Sequence, residues 1–276
     1  MNRLPLAKRA QIVGLLVEGN SLRATSRLAD VSINTVTKLL VDVGATCMRK
    51  HDELVRGVAS KRVQIDEIWA FCYAKAKNVA AAKAAPEGAG DVWTWTALDA
   101  DTKLMVSYFV GDRSGDSAAV IAHDLRSRVV SETFQITTDA HNAYLRAIED
   151  AFGADADYAT LEKTYRTDPK AAAGRYSPPV CTGTRKRVIE GNPNPAHIST
   201  SYVERQNLTI RMSVRRFTRL TNAFSKKVEN HAYAVALHFM WYNFGRIHKT
   251  LRVTPAMQAG LSDHVWSFEE VASLIA

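Results

Sequence analysis

Cysteine is scarce: Cys47, Cys72 and Cys181 are the only three in 276 residues, and no two are spaced as CxxC. That leaves no ligand pattern for a structural zinc site and no material for a disulfide framework, so the three read as reduced thiols. Long apolar runs are also missing. Nothing approaches the ~20 apolar residues that span a bilayer, and the opening MNRLPLAKRAQIVGLLVEGN has only a short apolar stretch broken by charge. A soluble, cytosolic protein without a membrane partner is expected. Internal repeats and low-complexity tracts are absent, and 14 glycines with 8 prolines are far too few for a collagen-like chain. What is present is a chain 46% apolar and 23% charged, enough to build a proper core and to exclude wholesale disorder.

Charge is unevenly placed. The 36 basic and 28 acidic residues give a net charge of +8, which favours a polyanionic partner. Met1 to Lys50 carries eight basic and three acidic residues, whereas Asp91 to Asp157 carries twelve acidic and five basic. The carboxylates are concentrated in the middle of the chain.

Between Leu6 and Gly44 apolar residues recur at helical spacing through Ile12, Leu15, Leu16, Leu22, Ala24, Leu28, Ile33, Val36, Leu39 and Leu40. Gly19-Asn20 stops the first run, and Ser21 and Ser32 stand where a side-chain oxygen caps the next helix. Three short helices with a tight Ala29-Asp30-Val31 connection follow the grammar of a helix-turn-helix over residues 1–50, although an ordinary three-helix bundle has the same pattern. Basic Arg23, Arg27 and Lys38 favour DNA. In that reading Ser32, Asn34, Thr35 and Lys38, at the start of the third helix, face the major groove.

After a linker at 51–62 the period changes. Val63 to Phe71, Val92 to Leu98, Leu104 to Val110 and Phe134 to Thr138 read as strands, and Asp116 to Val130 and Asn142 to Phe152 as helices. Three consecutive strands, a helix, a fourth strand and further helices make the order of a ribonuclease-H-like α/β domain over 63–250, a mixed five-stranded sheet flanked by helices. Two insertions interrupt it. Residues 75–90 are rich in alanine and lysine, and 167–198 hold five of the eight prolines and are expected to form a long loop. Residues 251–276 are expected to be a C-terminal tail.

Three carboxylates stand out. Asp66 lies inside the apolar run Val63 to Trp69, where an unpaired carboxylate is costly. Asp139 ends a strand, the usual place for a ligand in α/β folds, although it is equally suited to cap the helix that follows. Glu204 shares a helix face with Asn207 and Arg211, apart from the apolar stripe Val203, Ile210, Val214 and Phe217. Together the three offer hard oxygen donors for Mg²⁺ or Mn²⁺, and two such ions about 4 Å apart can drive an in-line phosphoryl transfer. Rivals by residue type are weaker. Alternation turns Glu67 to the opposite face from Asp66, and Asp99 and Asp101 sit where a turn favours aspartate.

The segments Asp66-Glu67-Ile68-Trp69-Ala70-Phe71, Thr138-Asp139-Ala140-His141-Asn142-Ala143-Tyr144 and Tyr202-Val203-Glu204-Arg205-Gln206-Asn207-Leu208 resemble the three acidic motifs of DDE transposases of the insertion-sequence-one family. The likeness continues through Arg211 and Phe224 to Glu229. The later run Tyr242 to His248, with Thr254-Pro255-Ala256, is similar to the tail of other integrase-like transposases. The resemblance implies a bacterial enzyme that cuts at element ends and joins the freed 3′-hydroxyl to target DNA, with Asp66, Asp139 and Glu204 as catalytic metal ligands for two ions. It also implies double-stranded DNA as partner, both terminal inverted repeats and target, and a homo-oligomer to pair the ends.

From Arg205 to Lys227 the chain has seven basic residues and no acidic one: Arg205, Arg211, Arg215, Arg216, Arg219, Lys226 and Lys227. With Asn207, they are expected to track phosphates beside the metal site. His231 and His238, seven residues apart on an apolar helix, lack the spacing of a zinc pair and read as core or surface residues. Two other classes share these features: a transposase-derived regulator that binds DNA without chemistry, and a ribonuclease-H-like nuclease or resolvase.

Overall fold

A computed structural model describes residues 4–166, 180–218 and 222–275. It begins with three helices, α1 (Leu6–Val17), α2 (Leu22–Leu28) and α3 (Ile33–Leu54). The Ser21 hydroxyl accepts the Ala24 N–H at 3.1 Å and Ser32 accepts that of Thr35 at 3.2 Å, so each cap satisfies a donor the helix start leaves unpaired. Helix α3 does not stop at residue 50. Its last turn is held by tertiary contacts: His51 is buried, with its Nε2 3.1 Å from the Met105 carbonyl oxygen, and Arg128 Nη1 donates to the Val55 carbonyl oxygen.

The rest of the chain runs β1 (Arg62–Cys72), α4 (Ala76–Val79), β2 (Gly90–Asp99), β3 (Met105–Gly111), α5 (Gly115–Arg128), β4 (Phe134–Asp139), α6 (Ala143–Phe152), β5 (Ala156–Arg166), β6 (Val180–Glu190), α7 (Ser201–Ser213), α8 (Val228–Met240), α9 (Pro255–Gln258) and α10 (Phe268–Ser273). The sheet order is β3-β2-β1-β4-β5-β6. Strands β1, β2 and β3 are antiparallel neighbours, β4 and β5 run parallel to β1, and β6 returns antiparallel to β5. Among the described residues the sheet therefore has six strands rather than five. The sixth lies in the stretch expected to be a loop. Nearly all its residues are exposed, so no apolar alternation marks it, and its order comes from pairing with β5 alone. Of the expected 167–198 loop, residues 167–179 lie outside the described residues.

Both faces of the sheet are covered. Val63 and Ile65 of β1 join α5 and α6 in one apolar cluster, while Ile68 and Ala70 meet Val203 and Ile210 of α7 and Val235 and Phe239 of α8 in another. Helix α3 lies against α8 so closely that a Cβ on Gly44 would fall 2.5 Å from Tyr233 Cβ, which makes glycine obligatory at that crossing. The end of the chain is packed rather than a free tail. Val271 and Ala272 are fully buried, Phe268 stacks on Trp241 at 4.1 Å, and Arg9 of α1 donates to the Ala272 carbonyl oxygen at 2.8 Å. One apolar cluster thus runs from Ala10 through the sheet to Ala272. Among the described residues no helix is long and apolar enough to cross a membrane.

Candidate active site

The pairing of β1 with β4 ends at Ile65 and Thr138, whereas β1 continues alongside β2 as far as Cys72. From Asp66 until Cys72, where Ser225 bridges it, one edge of β1 is therefore without a paired strand. Asp66 is the first residue past the pairing with β4, and Asp139 closes β4 opposite it. The gap explains how an aspartate inside an apolar run is accommodated: its carboxylate projects into a cleft rather than a packed core.

Helix α7 is fixed over this gap by a buried side chain of β1. Gln64 Oε1 accepts the backbone N–H groups of Tyr202 at 2.9 Å and Val203 at 3.1 Å, donors that the first turn of a helix cannot pair internally. The next turn brings Asn207 to Asp66, where its Nδ2 donates to Oδ2 at 2.7 Å. Glu204, one turn earlier, accepts from Lys163 Nζ of β5 and from the Thr200 hydroxyl. Asp66, Asp139, Glu204 and Asn207 all line one cleft of about 620 Å³, with Arg113, His141 and Arg211 at its walls.

Within the cleft one oxygen each of Asp66, Glu67 and Asp139 lies within 4.8 Å of the others. Glu204 stands outside that tight group, held by Lys163. Glu67 is the residue that alternation sent away. It does leave on the opposite face of β1, towards α6, but with no neighbouring strand beyond Ile65 its carboxylate still meets the other two. Both of its oxygens are engaged: Arg113 Nη2 lies 2.7 Å from Oε1, and the Tyr144 hydroxyl donates to Oε2 at 2.7 Å. Its charge is therefore largely answered by the protein itself.

The charges of Asp66 and Asp139 are not. Burial first, and then the neighbouring Glu67, Asp139 and Glu204 carboxylates, push the Asp66 carboxyl up to about 8. Burial and Glu67 also raise Asp139, against the pull of the His141 backbone N–H, which donates to its Oδ1 at 3.0 Å. That bond closes a turn before α6 and is not a helix cap, since Asn142 occupies the cap position. Buried, crowded oxygens with no cation of their own suit a hard divalent ion. Asp99 and Asp101 are turn residues: Asp99 Oδ1 accepts the N–H groups of Asp101 and Thr102, each at 2.8 Å, and Asp101 pairs with Arg62.

The expected DNA contacts divide. Ser32, Asn34 and Lys38 are exposed at the start of α3 and Thr35 is half-buried; the Ser32 hydroxyl serves as the cap, and Lys38 pairs with Asp42. Arg205, Arg215, Lys226 and Lys227 are exposed, and Arg211 faces the acidic cleft. Asn207 and Arg216 turn inward instead, Asn207 to Asp66 and Arg216 to the Ser225 hydroxyl at 2.7 Å. Arg219 lies outside the described residues. Sequence reasoning had no role for Arg113, Tyr144 and Lys163. The one available signal was an Asp-Glu pair within a strand, which demands more than one counter-charge.

No protein-family description matches the sequence, and no curated protein matches it. Solved structures with some similarity include a Mos1 transposase paired-end complex with left transposon end, at 14% identity over 57% of this chain and 60% of that chain, TM-score 0.24. A piggyBac transposase synaptic complex with hairpin DNA is 13% identical over 98% of this chain and 69% of that one, TM-score 0.37. A pre-cleavage Mos1 transpososome is 10% identical over 87% and 78%, TM-score 0.27. The chain thus spans less than two thirds of the first of these. Overlays this loose leave function to the geometry of the cleft.

Proposed function

We propose that this chain is an insertion-sequence transposase of the DDE type, which binds element ends, cleaves a DNA strand and joins the 3′-hydroxyl to target DNA. The observation that carries the reading is the meeting of Asp66 and Asp139 where the pairing of the parallel strands β1 and β4 ends, with Glu204 lining the same cleft. The strand order, three antiparallel strands followed by two parallel ones, supports a ribonuclease-H-like catalytic unit. Asp66, Asp139 and Glu204 are the residues to hold two Mg²⁺ or Mn²⁺ ions. Bound there, such ions supply Lewis acidity for the attacking and leaving oxygens.

The chain's own groups prepare the cleft. Asn207 orients the Asp66 carboxylate, Arg113 and Tyr144 neutralise Glu67, and Lys163 restrains Glu204. Arg211 and His141, on the cleft walls, are placed to meet a phosphate. Arg205, Arg215, Lys226 and Lys227 extend that phosphate track. Ser32, Asn34, Thr35 and Lys38 form the reading edge of a helix-turn-helix. Two ends must be brought together, so the active form is a homo-oligomer.

The test is a strand-transfer assay in Mg²⁺ or Mn²⁺ with the DNA termini flanking the reading frame, comparing wild type with Glu204→Gln. Transfer products from wild type alone are expected. End binding without cleavage under either metal would leave a regulator, and cleavage without joining a nuclease.

A further inference from the structure

Glu67 poses a problem that the acidic trio does not solve. It is a third carboxylate packed against Asp66 and Asp139, and after burial it is the group that does most to push both of them up. A metal ion does not account for it, because both of its oxygens are taken: Arg113 Nε donates to Oε1 at 2.8 Å with Nη2 2.7 Å from the same atom, and the Tyr144 hydroxyl donates to Oε2 at 2.7 Å. What this carboxylate holds is an arginine.

Arg113 stands on a rigid mount. It follows β3 in a turn where the Asp112 carbonyl oxygen accepts the Trp95 indole N–H at 2.8 Å and the Asp112 carboxylate accepts the Ser114 and Ser117 hydroxyls, each at 2.6 Å. Its guanidinium lies over the Trp93 ring, with Cζ 4.7 Å from the ring centre. The contacts with Glu67 use one side of the guanidinium fork, and Nη1 has no hydrogen-bond partner among the described residues. The Arg113 side chain is 44% exposed against 2% for Glu67, and it lines the cleft together with Asp66 and Asp139. Its charge reaches Asp139, where it opposes the rise that burial and Glu67 impose.

We infer that Arg113 binds a non-bridging oxygen of the phosphate to be cut, and that Glu67 is the positioning residue that aims it. In cleavage a bond from a water oxygen to phosphorus forms, the bond from phosphorus to the 3′-oxygen breaks, and a proton passes from the water to that oxygen. Negative charge builds on the non-bridging oxygens in between, and a cation already fixed in place meets it without rearranging. A lysine at this position would lose both the fork on Glu67 and the stacking on Trp93. This inference rests on the strand-transfer reading of the cleft.

The test uses the full chain and labelled duplexes spanning the junction of element end and flanking DNA, with either the natural phosphate or a neutral methylphosphonate at that junction, followed by anisotropy in Ca²⁺. Wild type is expected to bind the natural junction about tenfold more tightly than Arg113→Met does, and the two proteins to bind the methylphosphonate junction alike within about twofold. In the wild type the Arg113 guanidinium resonances should shift on adding the natural duplex and not the neutral one, a readout that needs no variant to fold. Glu67→Gln is expected to keep Mn²⁺ affinity within about threefold and to slow cleavage at least about tenfold, with no further loss when Arg113→Met is already present. A wild-type advantage that survives the methylphosphonate, or resonances that shift equally with both duplexes, would overturn the contact. A larger loss of Mn²⁺ affinity in Glu67→Gln, or additive losses in the double variant, would overturn the positioning role of Glu67. Failure of the wild type to bind the natural junction at all would remove the transposase reading itself.

Discussion

Replacing Asp66 by asparagine is expected to stabilise the metal-free protein while abolishing its response to Mg²⁺. The Asp66 carboxyl rises from 3.8 to about 8 on folding, because it is buried beside Glu67, Asp139 and Glu204. The folded state then binds a proton that the unfolded chain has released, so stability falls as pH rises from about 4 to about 8 and levels off above that. At about 1.4 kcal/mol per tenfold change in proton affinity, the ceiling of this penalty is roughly 3 kcal/mol near pH 6 and roughly 5 near pH 8. Asparagine keeps an oxygen for the Asn207 donor and carries no charge, so the variant escapes the penalty. Thermal unfolding in EDTA should show the variant ahead of wild type, with the gap widening by roughly 2 kcal/mol, about 4–8 °C, between those two pH values. Comparing the two proteins at each pH cancels the titration of groups not coupled to Asp66. Saturating Mg²⁺ should then raise wild type and leave the variant unmoved. A gap that closes with rising pH, or equal stabilisation of both by Mg²⁺, would refute the argument that Asp66 is a crowded carboxylate awaiting a cation.

Removing the Asn207 amide should act on chemistry rather than on affinity. Asn207→Ala is expected to slow strand cleavage about 10–100-fold, as loss of a group that orients a metal ligand does, with DNA affinity within about twofold in an anisotropy titration; an equal fall in affinity would return Asn207 to the DNA interface. Acid should destabilise the fold through its buried histidines. Burial, and then the nearby cations Arg128, Arg216 and Arg246, lower His51 to about 4 and His231 and His238 to about 3. Their stabilisation is complete above about pH 6.5 and is lost as pH falls from there towards 4, because the unfolded chain takes up protons that the folded one refuses. The urea midpoint should fall steeply over that range and less steeply in His231→Gln; a flat midpoint would show that these rings find protons within the fold.

Much of the architecture was legible because local chemistry and tertiary structure agree. The helix starts at Ser21 and Ser32 and the strand at Phe134 follow from capping chemistry and apolar spacing, and burial then reinforces them. β6 was illegible for the opposite reason. Its side chains are exposed almost throughout, so its sequence carries no period, and only hydrogen bonds to β5 make it a strand. The last turn of α3 and the packed C-terminus were missed because contacts with Met105 and Arg9, distant in the chain, hold them.

The candidate site divides along the same line. The sequence by itself singled out Asp66 by local chemistry, since a carboxylate in an apolar run is costly, whereas Asp139 suited a helix cap equally well and Glu204 gained meaning only beside the other two and from the resemblance to the DDE motifs. Tertiary structure decided how those groups are held. Asn207 reaches Asp66 because Gln64 anchors α7 across the sheet, and Lys163 reaches Glu204 from a neighbouring strand. Glu67 enters the cluster because β1 outruns β4 and leaves its edge open. None of those approaches has a local signature, because each joins segments that only strand pairing and helix packing bring within hydrogen-bond distance.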